Sequence, residues 1–145
     1  MADLDVVIVN YNAGDHLLRC VASVFERAGG ADVDVIVVDN DSHDGSARRV
    51  EAAYPQVRLI ANPHNRGFGS AVNQGIASGR AGWILALNPD AELSEGDLGS
   101  LLEYARAHPR SGAIGVLVRD PGGALYPSAR RIPTLAEAAG HALVG

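Results

Sequence analysis

The 145-residue chain contains no lysine, and all twelve of its basic residues are arginines. This excludes a Walker-type phosphate loop, whose lysine reaches the nucleotide phosphates, and it excludes Schiff-base chemistry. Any phosphate bound here must be neutralised by arginine, by a metal ion or by helix N-termini. The single cysteine, Cys20, cannot form an internal disulfide and gives no sign of an oxidising compartment. No apolar run approaches the roughly 18 residues of a membrane span, and no basic start precedes an apolar signal core. The expected location is therefore the cytoplasm. A net charge of −5 speaks against nucleic acid and against an anionic membrane patch as partners.

What is present describes a globular α/β chain. Hydrophobic residues make up 47% of the sequence and charged residues 20%, enough for one domain with its own core. Leu4 to Val9 is a continuous apolar, β-branched run, the pattern of a strand buried on both faces. Asp34 to Val38, Val57 to Ala61 and Trp83 to Leu87 repeat it, and Ala113 to Val118 is a fifth candidate. Helical patterns lie between them at 16–27, 46–54, 70–78 and 97–107. Ser94 with Asp97 and Thr134 with Glu137 read as capping boxes, the second opening a helix from about Leu135 to Val144. Asp120 to Gly123 reads as a turn, leading as a hairpin into Ala124 to Tyr126.

Strands alternating with helices predict right-handed crossovers and a mainly parallel, Rossmann-like sheet with helices on both faces. Ligands of such sheets sit beyond the carboxyl ends of the strands. The residues just after each strand are Asn10-Tyr11-Asn12, Asp39-Asn40-Asp41-Ser42, Asn62 with Asn65-Arg66-Gly67, and Asn88-Pro89-Asp90-Ala91-Glu92. One segment rich in Asn and Asp is ordinary turn chemistry; four at one end of one sheet define a candidate site.

Asp90 and Glu92 are two residues apart and share a side if the segment is extended. With Asp39 or Asp41 nearby they suit Mg or Mn, held by one or two carboxylates plus substrate phosphate. The competing reading is two acids placed favourably before a helix N-terminus. Gly67 and Gly69 bracket Phe68 at a helix start, where backbone amides can approach a phosphate, or where glycine merely relieves crowding. Arg130-Arg131 is either a bidentate diphosphate clamp or a solvated pair, and spacing does not separate the two. Asn40, Ser42, Asp44, Gly45 and Glu51 match the spacing of an EF-hand loop. The first position is Asn instead of Asp and a strand precedes it, which sets that reading aside.

Four ordered segments resemble family-two glycosyltransferases: Val7 to Asn12, Ile36 to Ser46, Asn65 to Gly75 and Leu87 to Leu93. The Asn88-Pro89-Asp90 form, together with Pro127 to Thr134, is most similar to the rhamnosyltransferase-type members. The resemblance covers essentially the whole chain. It implies the nucleotide-sugar-binding half of the GT-A fold and a dTDP- or UDP-linked sugar donor. Asn10, Tyr11 and Asn12 would line the nucleotide pocket, and Asp39 would contact the base with Asn65 and Gly67 beside it. Asn88 and Asp90 stand at the family's Asp-x-Asp position, where the last acid binds Mg or Mn. Asn88 replaces the first acid and adds no charge.

The resemblance further implies an inverting transfer, possible only with a carboxylate general base that the family carries in a later segment; no residue here is assigned that role. The chain is thus expected to be a donor-binding domain, with residues 120–145 leading toward an acceptor half. The alternative is a module that binds nucleotide sugar without transferring it. A carbohydrate or lipid-linked acceptor, cell-surface polysaccharide biosynthesis, a place at the inner face of the membrane, and self-association through an exposed half-interface complete these expectations.

Overall fold

The computed structural model describes residues 2–127. The capping box at Thr134, the helix expected over 135–144 and the Arg130-Arg131 pair lie outside the described residues. The chain divides into two compact units, Met1–His108 and Pro109–Gly145.

In the first unit β1 (Leu4–Asn10), α1 (Asp15–Glu26), β2 (Val33–Asp39), α2 (Ser46–Ala53), β3 (Arg58–Ala61), α3 (Phe68–Ser78), β4 (Trp83–Leu87) and α4 (Leu98–Ala107) follow one another. The four strands form one parallel sheet in the order β3-β2-β1-β4, the α/β arrangement expected from the sequence. β1 is central and all seven of its residues are buried, which accounts for its unbroken apolar run. Leu4, Val6 and Ile8 pack against Leu17, Val21 and Val24 of α1, Val50 of α2 and Leu102 of α4. Val7 and Val9 face the other way, onto Ile36, Val38 and Ala71 of α3.

The handedness of the crossovers dictates this division. α1 and α2 carry the chain step by step toward one edge, through β2 to β3. The α3 connection runs back past two strands to β4 on the far side of β1. A right-handed crossover that reverses direction must lie on the opposite face. The reversal between β1 and β4 makes the switch point, the place near which ligands of such sheets bind.

Two local readings are corrected. Ser94 does not cap α4; Asp97 does, its Oδ1 accepting from Ser100 N at 2.7 Å and its Oδ2 from Ser100 Oγ at 3.1 Å. Gly96, at φ 70°, turns the chain just before it, and this turn moves the helix start three residues past the serine. Nor is Ala113 to Val118 a strand of the main sheet. In the second unit only Val118–Arg119 (β5) is extended, pairing antiparallel with Leu125–Tyr126 (β6). Most of the 113–118 run is exposed, so its apolar pattern has no burial to favour a longer strand. The hairpin itself is as expected: Gly123 at φ 84° closes the turn, its N–H donating to Asp120 O at 2.8 Å.

α3 approaches the sheet closely at Gly75, where an added Cβ would overlap the Val7 side chain and press on Val38 at 3.2 Å. Gly75→Ala should lower stability by about 1–3 kcal/mol through overpacking, read as a reduced urea midpoint at unchanged m-value.

Candidate active site

At the carboxyl end of β1 and β2 the register sets Asn10 directly beside Asp39. Asn10 has no exposed surface. Its Nδ2 lies within hydrogen-bonding distance of Asp39 Oδ1 at 2.7 Å, Ser46 Oγ at 2.8 Å and Ser42 Oγ at 3.0 Å, three acceptors that share its two hydrogens, and its Oδ1 accepts from Ala13 N at 3.3 Å. Asp39, 8% exposed, also accepts from Ser42 N at 3.2 Å. The buried Asn10 amide thus orients the Asp39 carboxylate and has no surface of its own to offer, while Tyr11 and Asn12 lie exposed beyond it. Asn12 takes φ 53°, a conformation asparagine tolerates. Its N–H donates to Ser42 Oγ at 2.9 Å and its Oδ1 accepts from His43 N at 2.8 Å, joining the first loop to the second. A cavity of about 490 Å³ opens beside Asp39, lined also by Ser42, His43, Arg48, Glu51 and Leu59.

Asp44 completes this cluster. It accepts from Gly14 N at 2.7 Å, Ser46 N at 2.9 Å and Ser46 Oγ at 2.6 Å. Desolvation pushes its pKa up, but the hydrogen bonds from Ser46 and Gly14 and the Arg49 charge outweigh it and hold the carboxyl below its ordinary value.

Asn40 faces the α3 side and ties β2 to the loop before α3. Its Nδ2 donates to Asn65 Oδ1 at 2.9 Å and to Gly67 O at 3.4 Å. Asn65 Oδ1 also accepts from Gly67 N at 2.9 Å. Gly67, at φ 80°, turns this loop into α3 and leaves Phe68 55% exposed at the lip. Asp39, Asn65 and Gly67 are therefore linked through neighbouring residues of one hydrogen-bonded assembly.

The segment after β4 is fastened to α1. Cys20 Sγ donates to Asn88 O at 3.4 Å, Arg19 Nε to Glu92 Oε1 at 2.8 Å, and Leu93 N to Ser23 Oγ at 3.0 Å. Burial pushes the Cys20 thiol up to about 12, with the Asp90 and Glu92 carboxylates adding to it, so it stays a neutral donor. Asp90 and Glu92 do not work as the pair their spacing suggested, because Glu92 is engaged by Arg19. Asp90 is exposed and accepts no hydrogen bond from a described residue, and Asn88 is exposed beside it. Among the described residues no group of three or more His, Cys, Asp or Glu side chains converges, so Asp39 and Asp41 do not complete a cage with Asp90. A free single carboxylate fits a divalent cation shared with donor phosphates and does not fit an all-protein site.

Sequence reading placed Asn40, Ser42 and Asn62 in the strand-end segments without giving them a role, and it did not single out Ser46 or Gln74, nor Arg19 and Ser23 behind the β4 loop or the contact made there by Cys20. One signal for Asn40 was available: alternation along β2 puts Asp39 and Asn40 on opposite faces, so both faces of that strand end carry polar groups.

The parallel sheet order and the polar strand ends make an α/β fold of the kind found in GT-A glycosyltransferases. It is similar to the TarS residues 1–349 of S. aureus in complex with UDP, with TM-score 0.65, 17% identity, and coverage of 74% of this chain and 33% of that one. It is likewise similar to the mannosyltransferase PcManGT of Pyrobaculum calidifontis in complex with GDP-Man and Mn2+, with TM-score 0.63, 19% identity, and coverage of 83% and 36%. Residues 5–137 match the model of glycosyl transferase family 2, and the chain belongs to that family. It is 41% identical over 153 aligned positions to N-acetylglucosaminyl-diphospho-decaprenol L-rhamnosyltransferase of Mycobacterium tuberculosis (strain H37Rv), covering 98% of this chain and 50% of the relative. It is 38% identical over 106 positions to the succinoglycan biosynthesis protein ExoO of Rhizobium meliloti (strain 1021), covering 72% of this chain and 30% of that one. The chain thus spans about half the length of the rhamnosyltransferase. Among the described residues no helix is long and apolar enough to cross a membrane.

Because the pKa of Asp44 is lowered on folding, its contribution to stability is present above the unfolded-state pKa and is lost as pH falls through the folded-state value. The melting-temperature gap between wild type and Asp44→Asn should therefore be widest near neutral pH and close in acid. A gap independent of pH would assign Asp44 no such role.

Proposed function

We propose that this chain binds the donor of a glycosyl transfer, a nucleoside-diphosphate sugar linked to dTDP or UDP. The observation that carries the reading is the placement, at one sheet end, of the Asn10-oriented Asp39 carboxylate on one side of the switch point and the unpartnered Asp90 on the other. Asp39 can only accept hydrogen bonds when ionised. It suits the imide N–H of uracil or thymine and opposes the bare ring nitrogen of cytosine. The adjoining cavity, between Arg48, Glu51 and Leu59, falls within the size range of small-molecule sites. Tyr11 and Phe68, each 55% exposed, supply faces on which a base or sugar can rest.

Departure of the diphosphate from the anomeric carbon develops negative charge that must be stabilised where it forms. Asp90 would hold Mg or Mn together with the donor phosphates, with Asn88 offering a neutral hydrogen-bonding group beside it. When bound, the cation supplies charge neutralisation to the leaving diphosphate. The Arg19–Glu92 ion pair and the Cys20 and Ser23 contacts keep the backbone on either side of Asp90 in place. Arg130 and Arg131 are proposed as further diphosphate contacts. Transfer would invert the anomeric centre by direct attack of an acceptor hydroxyl, the C–O bond to phosphate breaking as the new C–O bond forms and the proton passing to a base. The lipid-linked substrate in the relative's name points to a lipid-linked acceptor and to rhamnose as a candidate sugar.

A thermal-unfolding series with UDP and dTDP, with and without Mn2+, tests the assignment. At a hundred times Kd, binding adds about 2.7 kcal/mol, and at roughly 2–4 °C per kcal/mol the midpoint should rise by about 5–10 °C. Asp90→Ala should abolish the Mn2+-dependent part of the shift and leave the unliganded midpoint nearly unchanged. Asp39→Ala should weaken binding with or without Mn2+. A Mn2+-dependent shift that survives Asp90→Ala would remove the metal assignment.

A further inference from the structure

Ser23 lies on the buried face of α1 and is 7% exposed. Its hydroxyl proton goes to Cys20 O at 2.8 Å, a bond back along the helix. With the proton so used, Oγ can only accept from outside the helix, and it accepts from Leu93 N at 3.0 Å. α1 gains nothing from a serine here, because alanine is the better helix former. The hydroxyl serves the loop after β4.

That loop is anchored to α1 by two residues three apart, on one helix face. Cys20 Sγ holds Asn88 O at 3.4 Å, at the end nearer β4, where Ala91 N also donates to Asn88 O at 3.1 Å. Ser23 holds the far end at Leu93. Asp90 stands between the two anchors and its carboxylate is bonded to no described residue, so its place is set through its backbone. The Leu93 side chain packs on the core cluster, which fixes its depth but leaves the chain free to rotate about its own direction. The Ser23 bond removes that freedom by fixing the plane of the Glu92–Leu93 peptide. The Arg19–Glu92 pair is about half exposed at both ends, and an exposed pair adds little rigidity. We propose that Ser23 is a positioning residue that acts through the Leu93 amide to hold Asp90 where a divalent cation and the donor diphosphate meet. It thereby couples the binding of the two. This role rests on the reading that Asp90 holds the cation.

Titration calorimetry with UDP, in Mn2+ and again in EDTA, gives the factor by which the cation strengthens UDP binding. By linkage, UDP strengthens Mn2+ binding by the same factor, so a Mn2+ titration with and without UDP checks it. Ser23→Ala should lower the factor about three- to tenfold, the scale of one lost hydrogen bond. UDP affinity in EDTA should stay within about twofold of wild type, the scale of a site that has lost no contact of its own. Threonine and valine have nearly one shape, and the threonine hydroxyl can still bond back along the helix. Ser23→Thr should therefore keep the coupling that Ser23→Val loses, a comparison that stands even if Ser23→Ala does not fold. An unchanged factor in Ser23→Ala, equal weakening with and without Mn2+, or equal factors in the Thr and Val variants would each overturn the proposal. Asp90→Ala separates the two ideas. If wild-type UDP binding is indifferent to Mn2+, or Mn2+ still strengthens it in Asp90→Ala, the cation reading fails and the role of Ser23 with it. If Asp90→Ala loses the effect while Ser23→Ala keeps it, only the role of Ser23 falls.

Discussion

The hydrogen bond from the buried Asn10 amide to the Asp39 carboxylate is the constraint on which the candidate site depends. It joins the last residues of the two central strands, which the parallel register places side by side. A buried amide left without partners costs about 1–3 kcal/mol, so an asparagine here is tolerable only because the second strand and the start of α2 bring Asp39, Ser42 and Ser46 to it. The same bonds fix the direction in which Asp39 points. Structure and chemistry share one atom pair, and weakening it would disturb the strand ends and the acceptor together.

Asn40, one residue further on, does for the α3 face what Asn10 does for the α1 and α2 face. The two asparagines lie on opposite sides of the sheet because side chains alternate along a strand. Between them they order three loops without a glycine-rich phosphate turn and without a lysine. The glycine that matters most is Gly67, whose positive φ lets the chain turn from the Asn65 carbonyl into α3. These strand ends are thereby held in place in advance, which would lower the ordering cost of binding a ligand there.

The other side of the site is built differently. The loop after β4 is held from behind by α1, through Arg19, Cys20 and Ser23, and Asp90 itself is left without an internal partner. An ion pair occupies Glu92, so a single unpaired carboxylate stands where two acids occur in sequence. Such a carboxylate has weak intrinsic hold on a hard cation and gains it when donor phosphates complete the coordination. Metal and donor would then bind together, each strengthening the other.

The strand-and-helix order, the parallel sheet and the clustering of Asn and Asp at strand ends were legible in the sequence because they follow from local periodicity and from crossover handedness. The positions of Asp39 and Asp90 at strand ends were legible too, since each follows an apolar run within three residues, while Gly67 stands six residues beyond Ala61 and was marked only by its glycine before a helical pattern. Ser94 was misread as a cap because a serine before an acid looks alike whether or not a glycine turn intervenes. The Ala113 to Val118 run was misread as a strand because apolar composition says nothing about whether a partner strand exists. Only the tertiary structure decided that Asn10 is buried behind Asp39, that Arg19 takes Glu92 from Asp90, and that Asn40, Asn62, Asn65 and Gln74 form one amide chain. The physical reason is that these are pairings between residues 12 to 73 positions apart. Hydrogen-bond partners at such separations are chosen by packing geometry, on which the local pattern of a sequence carries no information.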